Sequence, residues 1–382
     1  MEVVMVVPNL AVVRFFRKLK DPRSTRRRRH LLLDIIAIAL CGVIAGCDDW
    51  QQIETFGKHR REWLKQFLQL PNGIPSHDTF ERVFDRIDPV AFQACFRDWV
   101  QAVCDGLGLK HIAIDGKTLC GSGSDKLKAL HLVSAWAADN QLTLAQVATD
   151  EKSNEITAIP QLLDLLCLKG ALVTIDAMGC QKDIAAKIVA RGGDYLLTAK
   201  DNQPTLRNDI CNSFTQAHET DFAGLDWDEY TTVDRGHGRL ETRTYTIIKN
   251  PTTLSQSELW ANLKVIGMCV SHRIVKDKES AEVRFFIGSR LMSAKKYGTT
   301  MRGHWGIENI LHWQLDVTFD EDGNRVTKRH GAENLALLRR LALPLLKRHP
   351  SKRSIACKRL AAALDTTFLE EILTGNINLG NS

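Results

Sequence analysis

The chain has 382 residues, 44% hydrophobic and 25% charged, with a formal net charge of +6. That is an ordinary globular composition, long enough for a large core, with no internal repeat or low-complexity stretch. The ten cysteines form no Cys-x-x-Cys pair, which argues against zinc-finger and disulfide-scaffold classes and predicts reduced, mostly buried thiols in a cytoplasmic protein. Charge is uneven: residues 1–30 hold nine Lys or Arg against two acids, and the stretch from Asn334 to Leu364 holds eight with none. Two basic arms around a near-neutral middle predict a polyanionic partner.

Residues 10 to about 105 read as helical. Leu31 to Cys47 is the longest apolar run, short for a membrane span and carrying Asp34, so it predicts a buried helix. Asp48 and Asp49 follow it where a signal peptide would need a cleavage site. Apolar residues recur at helical spacing in Trp63-Leu64-Phe67-Leu68 and in Phe92-Cys95-Phe96-Trp99-Val100. Ser76 to Thr79 reads as a helix start with side-chain caps. The module carries the run Arg26, Arg27, Arg28, Arg29, which suits phosphate contacts that give affinity without sequence information.

From Lys110 the pattern changes. His111–Ile114, Leu130–Ala137 and Leu142–Thr149 read as strands, followed by helix Ile156–Leu168, strand Ala171–Ile175, helix Gln181–Ala190, strand Asp194–Thr198 and helix Thr205–Ala217. A hairpin start followed by strand–helix alternation predicts an α/β mixed sheet with helices on its faces, the order of the ribonuclease H-like fold. Period-two patterning returns in Thr242–Ile248, Val265–Ile274 and Val283–Ile287, predicting a β-rich insertion. Lys295–Thr318 and Ala332–Leu346 are helical again, with Pro344 as a kink or stop. The expected divisions are a basic helical module over 1–105, the first part of the catalytic core over 106–225, the insertion over 226–294, the helical end of the core over 295–350, and a tail over 351–382.

Three segments carry the chemistry: Ile112-Ala113-Ile114-Asp115-Gly116-Lys117, Val173-Thr174-Ile175-Asp176-Ala177-Met178-Gly179 and His304-Trp305-Gly306-Ile307-Glu308-Asn309. Two aspartates end short apolar runs and a glutamate sits in a helical segment. If the two strands are parallel neighbours, Asp115 and Asp176 converge at the edge where open sheets place ligands. Glu308 would then come from a helix packed beside that edge. Three hard carboxylates suffice for Mg²⁺, which keeps several waters, and two such ions suit phosphodiester chemistry.

These motifs resemble the DDE transposases of bacterial insertion sequences, specifically the H-repeat-associated subgroup. The likeness includes Thr118-Leu119 after the first Asp motif, Cys180-Gln181 after the second, and Leu311-His312-Trp313 with Leu315 to Phe319 after the Glu. Lys200-Asp201-Asn202-Gln203-Pro204 and His237-Gly238-Arg239-Leu240-Glu241 also match, so it spans nearly the whole chain. The resemblance implies a ribonuclease H-like core, catalytic and metal-binding roles for Asp115, Asp176 and Glu308, two Mg²⁺ ions with Mn²⁺ as substitute, and cleavage at element ends followed by strand transfer. It implies double-stranded DNA as partner, a homodimer or higher oligomer on DNA in the bacterial nucleoid, and no membrane. Related transposases often place Arg four residues before the Glu and Lys seven after it, where this chain has His304 and Leu315; Cys120 stands where Arg is expected. The alternatives are a catalytically silent DNA-binding descendant and a ribonuclease H-like nuclease acting on other substrates.

Besides the arginine run, the expected DNA contacts are Lys117, Lys200, Gln203, Arg239 and Arg243. Lys200 and Gln203 follow a strand end near the acidic edge, and Arg239 and Arg243 share one strand face. Trp305 and Trp313 are expected in the core. Asp316 and Asp320 are expected as solvated helix-end acids.

Overall fold

The computed structural model describes residues 11–104, 110–123, 128–149, 155–236, 238–276 and 278–374. The front of the chain forms α1 (Ala11–Arg14), α2 (Leu32–Ile44), α3 (Trp50–His59), α4 (Arg61–Leu64), α5 (His77–Phe84) and α6 (Pro89–Cys104). The Leu/Ile/Ala run of α2 buries every residue except Leu33, as its composition predicts. Asp49 caps α3 by accepting from the Gln52 amide at 2.8 Å. Ser76 precedes α5 but makes no such cap; its hydroxyl meets Thr79 Oγ1 at 3.2 Å instead.

The core follows as β1 (His111–Leu119), β2 (Leu130–Ala137), β3 (Leu142–Ala148), α7 (Glu155–Asp164), β4 (Leu172–Ile175), α8 (Lys182–Ala190), β5 (Asp194–Ala199) and α9 (Pro204–Glu219). β1, β2 and β3 are antiparallel neighbours, while β1, β4 and β5 run parallel. The order β3-β2-β1-β4-β5, with α7 and α8 as crossovers, is the ribonuclease H-like arrangement.

The stretch expected as an insertion supplies β6 (Trp227–Gly236), β7 (Arg239–Lys249), β8 (Val265–Val275) and β9 (Lys278–Gly288). These strands extend the core sheet, because β9 pairs antiparallel with β5 from Leu196↔Gly288 to Ala199↔Phe285. In β9 the Phe285–Gly288 end is buried against the core and the Lys278–Val283 end is exposed, so the four-stranded ribbon is anchored at one end only.

Then come α10 (Ala294–His304), a π-helical turn (Ile307–His312), α11 (Trp313–Val317), α12 (Gly331–Arg348), α13 (Ile355–Leu364) and α14 (Thr366–Thr374). α12 lies against α2, α6 and β3, joining the front helices to the sheet. It runs through Pro344 without stopping; Arg339 to Leu346 are buried on both sides of the proline, and that packing outweighs its helix penalty. Residues 351–374 are not an extended tail, since α13 and α14 fold back onto α12; the rest of the expected tail lies outside the described residues.

Half of the second basic arm is interior, contrary to expectation: Arg339, Arg340, Lys358 and Arg359 are buried, while Arg348, Lys352 and Arg353 are exposed. Arg340 is fully buried and pairs with Glu321 Oε1 at 2.7 Å. Arg359 pairs with Asp48 at 2.7 Å and donates to the Val43 carbonyl. Lys358 donates to the carbonyls of Leu346 and His349 at 2.9 and 2.8 Å, closing the C-terminal end of α12. An arginine run without acids in sequence finds its acids through tertiary contact. Six of the ten cysteines are buried. Among the described residues no helix is long and apolar enough to cross a membrane.

Candidate active site

The parallel pairing of β1 with β4 runs from His111↔Leu172 to Ile114↔Ile175 and stops there. The next residue on each chain is an aspartate, so Asp115 and Asp176 leave the ladder side by side. Asp115 does not end its strand, as the sequence suggested; β1 continues to Leu119 by pairing with β2, where Asp115 faces Ser134. Asp176 closes a tight turn, its Oδ1 accepting from the Met178 and Gly179 amides at 3.1 and 3.4 Å. Gly116 has a steric reason: a Cβ there would overlap the Glu155 carboxylate and the His131 ring.

Glu308 sits in the π-helical turn that follows α10, packed against β1. The buried side of this segment is Ile307, Leu311, Leu315 and Phe319, spaced by fours. Leu315 is therefore a core position, which accounts for the absence of a lysine there. Trp305 and Trp313 fall outside that stripe and are 40% and 51% exposed, against the expectation of core tryptophans. The Arg284 guanidinium lies over the Trp305 ring, 4.9 Å from its centroid.

The electrostatics tie the three acids together. Burial, then repulsion from Glu308, Asp176 and Glu155, pushes the Asp115 carboxyl up to about 8. Asp176 is raised by burial and by Glu155, against the amides of Gly179 and Met178 and the Lys200 ammonium. Glu308 is raised by burial and by Asp176, with Arg284 opposing. His312 Nδ1 stands 3.5 Å from Asp115 Oδ2, and burial drives this imidazole down to about 3, leaving it neutral. Among the described residues no three His, Cys, Asp or Glu side chains stand tightly enough together to form a ready cation cage. The donor chemistry nevertheless fits a hard divalent ion: oxygen ligands whose mutual repulsion a cation would relieve.

Glu155 and His312 were missed in the sequence. Glu155 opens α7 and is bound by His131 Nε2 at 2.9 Å, yet no motif spacing marks it. His312 belongs to the glutamate segment but carried no signal of its contact with Asp115.

The expected DNA-contact residues divide. Lys117 is buried, and its ammonium is held by Asp316 at 2.6 Å, Asp322 at 3.0 Å and Glu321 at 3.5 Å. It is not available to a phosphate, and Asp316 is an ion-pair partner instead of a free helix-end acid; Asp320 is exposed. Cys120 is exposed, with its amide directed at Asp322. Lys200 is exposed and close enough to Asp176 to lower its pKa. Gln203 is tied to the Cys180 carbonyl and the Gln181 side chain at 3.0 and 3.3 Å, which fixes the loop below the acids. Arg239 and Arg243 line one cleft of about 660 Å³ between the β7–β9 ribbon and the start of the Glu308 segment, with Arg273, Arg284, Arg302 and Trp305. Arg243 is paired there with Asp234 and the buried Glu241 at 2.7 and 2.6 Å. Arg26, Arg28 and Arg29 are exposed, and the Arg27 side chain lies outside the described residues.

Residues 106–345 match the family described as "Transposase DDE domain", and residues 13–100 match its associated family, "DDE_Tnp_1-associated". A protein of Escherichia coli O157:H7 named as a transposase, YncI, is 42% identical over 94% of this chain and 93% of its own length. An H repeat-associated protein of E. coli K12 also named as a transposase, YhhI, is 38% identical over 93% of this chain and 96% of its own. Among solved structures, a piggyBac transposase synaptic complex with hairpin DNA aligns at 10% identity and a TM-score of 0.41, covering 97% of this chain and 79% of that one.

Proposed function

Because this chain belongs to the DDE transposases, and within them to the H-repeat-associated subgroup, we propose that Asp115, Asp176 and Glu308 hold two divalent cations over a phosphodiester bond at a transposable-element end. The protein is a DNA transposase. Mg²⁺ would be the working ion, with Mn²⁺ as substitute, and cleavage would be followed by strand transfer into target DNA. The supporting observation is the register of β1 and β4, which delivers Asp115 and Asp176 side by side while repulsion from Glu308 and Asp176 helps raise Asp115 to about 8.

Bound at these carboxylates, divalent cations would activate a water or a 3′-hydroxyl and neutralise the leaving oxygen. The chain's own contribution is placement. Asp115 keeps its proton at neutral pH until positive charge arrives, because its burial disfavours a bare carboxylate. His312 stays neutral beside it. Lys200 adds positive charge next to Asp176, where the flanking phosphate would pass. The arginine-lined cleft beside Glu308 would guide the duplex, and the exposed arginines of the front module would hold the element end further out. A homodimer or higher oligomer would bring two ends together. The functional divisions follow the sequence: 1–105 for DNA binding, 106–225 and 295–350 for catalysis, and 226–294 for the arginine cleft.

The test is cleavage of a supercoiled plasmid carrying the element ends, with Mg²⁺ or Mn²⁺. Asp176→Ala or Glu308→Ala should abolish nicking while end binding persists. Full activity in either variant would refute the assignment, and end binding by the unaltered protein without nicking in either ion would move it to the silent DNA-binding class.

A further inference from the structure

Behind the three acids lies a buried polar chain that the proposed chemistry does not use. His111 Nε2 meets Thr174 Oγ1 at 2.8 Å, and the same hydroxyl meets His304 Nδ1 at 3.0 Å. All three residues are buried, Thr174 to 1% exposure. Each sits on a different acid-bearing element: His111 four residues before Asp115 on β1, Thr174 two before Asp176 on β4, and His304 four before Glu308 at the end of α10.

Side chains alternate along a strand, so His111 and Asp115 share a face of the sheet, and so do Thr174 and Asp176. Register puts Thr174 level with Ala113, between His111 and Asp115, on that same face. α10 covers this face, touching both β1 and β4. Its penultimate residue, Gly303, packs flat on the His111 ring, where a Cβ would come within 3.0 Å of Cε1 and Nδ1.

We propose that the His111–Thr174–His304 bridge is a positioning device that fixes the mutual placement of Asp115, Asp176 and Glu308. The inference rests on the carboxylate reading above. A hydroxyl has one proton and two lone pairs, so Thr174 can donate to one imidazole while accepting an N–H from the other, an arrangement that two neutral rings in matched tautomers satisfy. Burial keeps both rings neutral, each driven down to about 4. Each link is directional and therefore resists sliding of α10 along the sheet, which apolar packing alone does not. The position where related transposases often carry arginine thus holds a residue turned inward onto the strands. These bonds set where Glu308 stands relative to the two aspartates.

The experiment compares Thr174→Val, which keeps the shape and deletes the hydroxyl, with Thr174→Ser, which keeps the hydroxyl. Thr174→Val should fold and bind end DNA like the unaltered protein, yet cleave about 10- to 100-fold more slowly, the scale of a small misplacement of reacting groups. Its half-saturating Mn²⁺ concentration, read by electron paramagnetic resonance on the DNA-free protein, should rise about tenfold on the same grounds. Thr174→Ser should restore both. Unchanged cleavage and Mn²⁺ binding in Thr174→Val would overturn the proposal. Should that variant fail to fold, His304→Asn and His304→Gln decide: Asn places its amide near Nδ1 and should retain activity, Gln does not and should lose it, and equal behaviour of the two overturns the bridge. Asp176→Ala is the control for the underlying reading. An active Asp176→Ala sinks that reading, whereas a dead Asp176→Ala beside a fully active Thr174→Val sinks the bridge alone.

Discussion

Arg340→Met tests whether the interior charge network holds the region beyond Glu308. Arg340 and Glu321 are both fully buried and bonded at 2.7 Å, and Arg340 also donates to the Ala336 carbonyl. Removing one partner of such a pair leaves an uncompensated buried charge and costs about 3 to 5 kcal/mol. Lys117 remains 3.5 Å from Glu321, which places the expectation near the lower figure, about 3 kcal/mol. With an unfolding entropy of about 2.1 cal/mol/K per residue, a cooperative protein of this size loses roughly 1.3 °C per kcal/mol, hence about 4 °C in Tm. The pH dependence carries a sign. The positive charges of Arg340, Arg339 and Lys117 outweigh burial and hold Glu321 below its ordinary 4.5, so its contribution is present above that pH and lost as pH falls through the lowered folded value. In Arg340→Met burial prevails and the carboxyl rises; the cost is then greatest at high pH and shrinks toward pH 4.5. Thermal melts at pH 5 and 8 read both effects, and the double variant Arg340→Met/Glu321→Gln should recover most of the loss. A penalty below about 1 kcal/mol, or one that does not shrink at pH 5, would refute the argument.

Two further outcomes follow from the site. Lys117→Met should destabilise the protein while leaving the salt dependence of DNA binding unchanged, whereas Arg239→Ala should reduce the slope of log K against log salt by about 0.9; equal slope changes would place Lys117 back on the DNA surface. Asp115 has a folded pKa raised from 3.8 to about 8, so its favourable share of stability is present below about 3.8 and lost as pH rises through 8. Asp115→Asn should therefore gain Tm over the unaltered protein in chelator, more at pH 8 than at pH 5, while losing cleavage; a pH-independent difference would contradict the burial of that carboxyl.

The core strands and helices were legible because their apolar periods are strong, and the three acids because each follows or sits in such a run. What escaped was whatever depends on contacts between distant segments. The Arg339-Arg340 and Lys358-Arg359 pairs look like a solvated basic arm until Glu321 and Asp48 arrive from elsewhere in the chain. Lys117 sits in a motif that favours a phosphate reading, and only the fold brings Asp316, Glu321 and Asp322 around it. Trp305 and Trp313, eight apart and close to one helix face, read as core, but the fours-spaced stripe from Ile307 to Phe319 fills the buried side and leaves them outward. Glu155 begins a helix in a stretch with no spacing rule, so the fold identifies it, by its closeness to Gly116 and its bond to His131.

β1 shows how the chain keeps distant acids in register. His111 ties the strand to the end of α10 through Thr174, and Lys117, two residues past Asp115, ties it to α11 through Asp316 and to the segment after α11 through Asp322. The stretch from His304 to Asp316 is thus fastened at both ends to the strand that carries Asp115, with Glu308 between the fastenings. An α-helix spanning two fixed anchors has one length and one phase. The π-helical turn Ile307–His312 accommodates one residue more than a regular turn, so it sets both the rotation at which Glu308 leaves the helix and the approach of His312 to Asp115. The buried fours-spaced stripe from Ile307 to Phe319 continues across the turn. The geometry of the acids is then a property of two buried polar anchors and one turn.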